Sequence, residues 1–160
     1  MIINIFIADD HMLFREGIKE ALKLERDLYV IGEAADGEET LKQVQGKNPD
    51  ILLLDINMPK LNGLEVMRHL MMSHNNCKII LLTTNYDETY MLKMIKSGVT
   101  SYLLKDVKPN MLVAAIRTVY HGNSFIYPSI AKIQFGKMKY QHDKQQNEII
   151  NIYDYHKERR

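Results

Sequence analysis

The sequence predicts a three-layer α/β domain, a parallel doubly wound sheet with helices on both faces. Three observations carry that prediction. Short runs of aliphatic and β-branched residues alternate with segments of helical spacing, turn-forming pairs fall where one should give way to the other, and polar residues close the strand-like runs. The chain has 160 residues, 46% hydrophobic and 26% charged. That is enough for one core and an appendage, and the composition is neither disordered, collagen-like nor a disulfide scaffold.

The first element is the run Ile2, Ile3, Ile5, Phe6 and Ile7, which reads as a strand buried on both faces and stops at Asp9-Asp10. From His11 the period changes. Leu13, Phe14, Gly17, Ile18, Ala21 and Leu22 recur at helical spacing, with Arg15, Lys19 and Lys23 between them. The alternation continues with a strand at 30–31, a helix at 40–44, a strand at 51–54 and a helix at 64–70. Strands at 79–82 and 101–104 are each followed by helical spacing, through Met91, Met94 and Ile95 and through Leu112, Ala115, Ile116 and Val119. The pairs Asp36-Gly37, Asn48-Pro49, Asn62-Gly63 and Ser97-Gly98, and the triplet His121-Gly122-Asn123, punctuate the change-overs. Five β-α units result, for which the common flavodoxin-like strand order is 2-1-3-4-5. Residues 1–122 are expected to form this domain. Residues 123–160 read as a linker, partly helical near 128–134, too poor in apolar residues to build a second core.

Lys and Arg number 21 against 20 Asp and Glu, so the formal charge of +1 provides no global basic field for nucleic acid. Any charge-based function must be local. The one cysteine, Cys77, has no partner for a disulfide or a C-x-x-C motif, and the opening stretch lacks the basic segment of a secretory signal. A reducing, cytoplasmic setting is expected, with no membrane span.

In a doubly wound sheet, ligands bind beyond the carboxyl ends of the strands. Here those ends are Asp9-Asp10, Asp55, Thr83-Thr84 and Lys105-Asp106. Strand order brings three carboxylates, a hydroxyl and an ammonium to one edge. Clustered carboxylates repel unless a cation sits among them, and Mg²⁺ suits such a set because it prefers oxygen ligands and completes its shell with water or phosphate. Lys105 would neutralise phosphoryl charge, Thr83 would donate to a phosphoryl oxygen, and Asp55 is placed as a carboxylate nucleophile. Each residue alone has a plainer use: the Asp pair as helix caps, Asp55 as a turn former, Thr83 as a strand-end residue, Lys105 as a solvated charge. Four such coincidences on one edge argue against those uses. The ten methionines read as gap-fillers, and the six histidines show no metal-ligand spacing.

The ordered set Asp9-Asp10-His11, Leu54-Asp55-Ile56-Asn57-Met58-Pro59 with Gly63, Leu82-Thr83, Gly98 and Tyr102-Leu103-Leu104-Lys105-Asp106 resembles the receiver domain of bacterial two-component response regulators over about residues 1–122. The stretches DDHMLFREGIKEAL, LLDINMPKLNGLEV and SYLLKD further resemble the NarL/LuxR-type subfamily, whose members carry a helix-turn-helix output domain after the receiver. The resemblance implies that Asp55 accepts phosphate, Asp10 binds Mg²⁺ directly, Asp9 orders a metal-bound water and the Asn57 carbonyl is a further ligand. It also implies that Thr83 and Tyr102 change position together on activation.

The implied partners are a sensor histidine kinase, a second copy of the chain after phosphorylation, and DNA through an output domain. The 160 residues contain no helix-turn-helix pattern. The expectation is either a truncated regulator, which the linker-like tail favours, or a stand-alone receiver acting by protein contacts. Two rivals fit less well. A haloacid-dehalogenase-type phosphatase would need an acid two positions after the nucleophile, where Asn57 stands, and a cofactor binder of flavodoxin type would need a phosphate-cradling loop in place of Asp9-Asp10.

Overall fold

The computed structural model describes residues 1–84 and 88–126, the side chains of 88–91 excepted. Its elements are β1 (Ile3–Ala8), α1 (Met12–Leu22), β2 (Leu28–Ala34), α2 (Gly37–Lys47), β3 (Ile51–Asp55), α3 (Gly63–Met72), β4 (Lys78–Thr83), α4 (Glu88–Lys96), β5 (Tyr102–Leu104) and α5 (Pro109–Tyr120). The five strands form one sheet in the order β2-β1-β3-β4-β5, every pairing parallel, as the sequence predicts.

Successive strand side chains point to opposite faces, so β1 and β3 feed two separate cores. Phe6, Ala8, Leu52 and Leu54 pack on one face with Val66, Met67 and Leu70 of α3. Ile3, Ile5, Ile7, Ile51 and Leu53 pack on the other with Ile18 and Leu22 of α1 and Ile116 of α5. Burying each of the larger side chains contributes about 1.5–3 kcal/mol, which makes the central strands a rigid base for whatever their ends carry.

The punctuation residues do what their types allow. Asp36 caps α2 by accepting the Glu39 N–H at 2.8 Å. Asn62 and Glu65 form a reciprocal capping box at the start of α3, with bonds of 2.8 and 2.9 Å. Asn48 ends α2 in the left-handed conformation, at φ 46°. Gly63 serves close packing instead. A Cβ there would lie 2.3 Å from the Asp55 carbonyl oxygen, so only glycine lets α3 start against the end of β3.

One expectation needs correction. Leu13, placed in the apolar stripe of α1, is 83% exposed, and Gly17 beside it also faces outward. The inward stripe runs instead through Phe14, Ile18, Ala21 and Leu22, so that 13 and 17 fall one position off it. Arg15, which stands between the apolar positions of this helix, has a side chain only 11% exposed. After α5, Phe125 is buried and Ile126 forms a parallel bridge to Tyr102. The helix expected near 128–134 lies outside the described residues. Among the described residues, no helix is long and apolar enough to cross a membrane.

Candidate functional site at the carboxyl edge of the sheet

The sheet order places the ends of β1 and β3 side by side, with β4 next to β3 and β5 next to β4. Ala8 pairs with Leu54, Asp55 with Leu82, and Thr83 with Leu104. The residue after each strand therefore emerges on the same edge. Asp9, Asp55 and Thr83 are all buried there, and Asp10 is partly exposed, its side chain 35% accessible.

Lys105 follows β5, and its backbone N–H donates to the Thr83 carbonyl at 2.9 Å. Its ammonium lies 2.6 Å from Asp9 Oδ2 and 3.1 Å from Asp55 Oδ2. The ring of Phe14 stands under the same ammonium, 4.9 Å from its centroid. Among the described residues neither of these oxygens has a partner besides that ammonium, so each keeps a lone pair to offer.

The other Asp9 oxygen accepts the His11 N–H at 2.8 Å. The His11 ring nitrogen Nδ1 stands 3.2 Å from Asp9 Oδ1 and 3.0 Å from Asp10 Oδ1. Neither aspartate caps α1, whose N-cap residue, His11, makes no side-chain cap bond. The Asn57 N–H reaches Asp55 Oδ1 at 3.3 Å, which brings the peptide after Ile56 beside the same carboxylate.

Burial is the main influence on Asp55, followed by the negative charge of Asp9, and Lys105 offsets them only in part. The carboxyl is pushed from the usual 3.8 up to about 6. A site that raises a carboxyl in this way favours either a proton or a cation. Ligating atoms of Asp9, Asp10, His11 and Asp55 lie within 4.8 Å of one another. Oxygen donors dominate, two buried oxygens have lone pairs to offer, and one acid is already disfavoured as an unpaired anion. This set fits a hard divalent cation of the Mg²⁺ type.

Six of the seven residues singled out from sequence thus gather at one edge: Asp9, Asp10, Asp55, Asn57, Thr83 and Lys105. Tyr102 does not join them. It is buried at the middle of the sheet edge, and its hydroxyl donates to the Val99 carbonyl at 2.8 Å. Sequence reasoning missed His11, Phe14 and Arg15, which α1 brings back over the end of β1. The signal available was spacing: a helix that begins directly after a strand returns its first turn to that strand's end.

The profile of the family described as the response regulator receiver domain matches residues 5–117. The chain is similar to the transcriptional regulatory protein DegU of Brevibacillus brevis, 40% identical over 128 residues that cover 80% of this chain and 54% of that protein. In structure it is similar to a LuxR-family two-component response regulator from Aurantimonas sp. SI85-9A1, with a TM-score of 0.79 and 28% identity over 86% of this chain and 99% of that one. A DNA-binding response regulator of the LuxR family from Staphylococcus aureus gives a TM-score of 0.70 and 30% identity over 74% of this chain and 99% of that one. The chain spans about half the length of the curated relatives it matches.

Proposed function

Because this chain belongs to the response regulator receiver domain family of two-component systems, we propose that Asp55 is the phosphoacceptor of its switch. The observation that supports this most directly is the placement of a buried Asp55 carboxylate 3.1 Å from the Lys105 ammonium, beside a cluster of acidic ligands. The domain is a phosphoacceptor and not a turnover enzyme.

In this reading Asp9, Asp10 and Asp55, with the Asn57 backbone, hold Mg²⁺, which when bound supplies positive charge to the anionic donor and to the transferred group. The protein's own part is positioning. An Asp55 oxygen attacks phosphorus, a P–O bond forms to the carboxylate, and the bond to the donor breaks with its electron pair leaving on the donor. Lys105 compensates charge on the equatorial oxygens, and the Thr83 hydroxyl donates a hydrogen bond to one of them. No general base is needed, because the nucleophile is an anion. Tyr102 reports the new state to the β5 edge. Hydrolysis of the product by the domain itself is slow.

The donor is a sensor histidine kinase, the site of action cytoplasmic, and the response a shift toward a homodimer. Control of transcription passes through an output domain outside these 160 residues. Residues 1–122 supply the receiver chemistry, and the segment from 123 onward links it to that output domain.

Incubation with acetyl phosphate and Mg²⁺, with intact mass as the readout, tests the reading. One added phosphoryl group is expected, lost in Asp55→Asn and lost with chelator. Equal labelling of Asp55→Asn, or labelling indifferent to chelator, would reassign the site.

A further inference from the structure

We infer that Arg15 is a positioning residue for the divalent-cation site, holding the Asp9-Asp10 peptide in the orientation that lets both carboxylates face one ion. The inference rests on the metal-binding reading above and extends it to a residue outside the carboxylate cluster.

Asp9 lies just past the paired stretch of β1. Its N–H still donates to the Ala34 carbonyl of the neighbouring chain segment, at 3.1 Å. Its carbonyl accepts Nη1 of Arg15 at 2.6 Å. The peptide planes on either side of the Asp9 Cα are therefore held independently, one by the sheet and one by Arg15. The second plane carries the nitrogen of Asp10, so Arg15 also sets where Asp10 begins.

The surroundings of Arg15 suit this role. Its side chain is only 11% exposed, and its Nε lies 3.6 Å from Glu33 Oε2. The same oxygen is 2.9 Å from the Lys19 ammonium, so Glu33 of β2 gathers two cations of α1. Among the described residues the buried Nε makes no hydrogen bond beyond its ion pair with Glu33, so the short bond to the Asp9 carbonyl is the guanidinium's hydrogen-bonded anchor. A surface charge would not be buried in this way, and a helix-stabilising charge would not reach back to the strand it follows.

Charge and position predict opposite signs. A guanidinium this near an acidic site repels an incoming cation, so if charge were its only influence, its removal would tighten metal binding. A positioning role requires that removal loosen it. Outer groups that orient metal ligands typically govern affinity by roughly 10- to 100-fold.

The test uses Mn²⁺ as the probe and the full chain, with free Mn²⁺ counted by electron paramagnetic resonance, so no phosphorylation step enters the readout. Arg15→Gln is expected to weaken Mn²⁺ binding about 10-fold. Arg15→Lys, which keeps one donor able to reach the Asp9 carbonyl, recovers part of that loss. Thermal unfolding in chelator identifies any variant that does not fold, and if Arg15→Gln does not, Arg15→Lys carries the test in the same sense. Folded Arg15 variants that bind Mn²⁺ as well as the unaltered chain, or more tightly, overturn the inference. Asp10→Asn separates the two levels: if it leaves Mn²⁺ binding unchanged, the metal-site reading itself fails, whereas weakening in Asp10→Asn alone removes only the role of Arg15.

Discussion

The Lys105 ammonium stands closer to Asp9, at 2.6 Å, than to Asp55, at 3.1 Å. The cation is thus committed first to the carboxylate that is not the proposed phosphoacceptor. Lys105→Ala would leave two buried carboxylates facing each other with no cation between them, and breaking a buried pair costs about 3–5 kcal/mol. Urea unfolding in chelator at pH 7 should show a loss at the low end of that range. Part of it should return on adding Mg²⁺, which restores positive charge to the cluster. A variant as stable as the original at pH 7 without metal would mean that Lys105 does not compensate these acids.

Asp55 makes a pH-dependent contribution whose sign is unusual for an aspartate. Its folded-state value of about 6 lies above the ordinary 3.8, so the folded chain holds this proton more tightly than the unfolded chain does. Stability from this group is present below about pH 4 and is lost as pH rises toward 6. Over that window the loss is on the order of 2–3 kcal/mol. Asp55→Asn, neutral and nearly isosteric, should therefore raise the unfolding midpoint of the metal-free protein at pH 7, by about 5 °C. Near pH 4 the difference should vanish. Mg²⁺ should invert the order by stabilising the original chain more than the variant. An Asn variant that melts lower at pH 7 without metal would show that the Asp55 anion is well compensated.

Most of this architecture is legible in the residues. The run from Ile51 to Asp55 is apolar throughout and then abruptly acidic, which only a central strand with a polar edge explains. The pair Asn62-Gly63 marks a change-over between elements, and α3 begins there, capped by Asn62. What the residues conceal depends on distance in space. Arg15 carries no role in the sequence reading because periodicity gives a helix face but not the strand end that the face covers. His11 escapes a reading by metal-ligand spacing along the chain, because it meets Asp9 and Asp10 through a turn. Phe125 lies in a polar, linker-like stretch, and only the sheet edge beside it accounts for its burial.

Gly63 is the backbone position on which the site depends most directly. An added Cβ would lie 2.3 Å from the Asp55 carbonyl oxygen and 2.8 Å from the Ile56 Cα, both backbone atoms that cannot swing aside. Gly63→Ala must push α3 away from β3 and carry Asp55 and Asn57 with it. A destabilisation of about 1–3 kcal/mol is expected from such overpacking. At a temperature where the variant is still folded, phosphorylation by acetyl phosphate should be slowed by about tenfold or more, since displacements of about 1 Å have effects of this size. Normal labelling in a destabilised Gly63→Ala would show that the acceptor tolerates movement of the loop.

The segment after α5 is tied to the sheet at Tyr102. The Tyr102 N–H donates to the Phe125 carbonyl at 2.8 Å, and the Phe125 N–H donates to Ser101 Oγ at 3.1 Å. Phe125 itself is 3% exposed and belongs to the same core as Leu103, Leu112 and Ile116. Two hydrogen bonds and a buried ring thus tie Tyr102, the residue proposed for the switch, and its neighbour Ser101 to Phe125. A chain ending at Ile126 should be more stable than one ending at Gly122 by about 2–4 kcal/mol, from ring burial and two satisfied backbone groups. Ser101→Ala in the longer chain isolates one of those bonds and should cost about 1–2 kcal/mol by leaving a buried N–H unpaired. Urea midpoints for the three proteins decide the matter. Equal stability of the two truncations would keep the boundary at Gly122 and leave the bonds at Tyr102 without consequence for the fold.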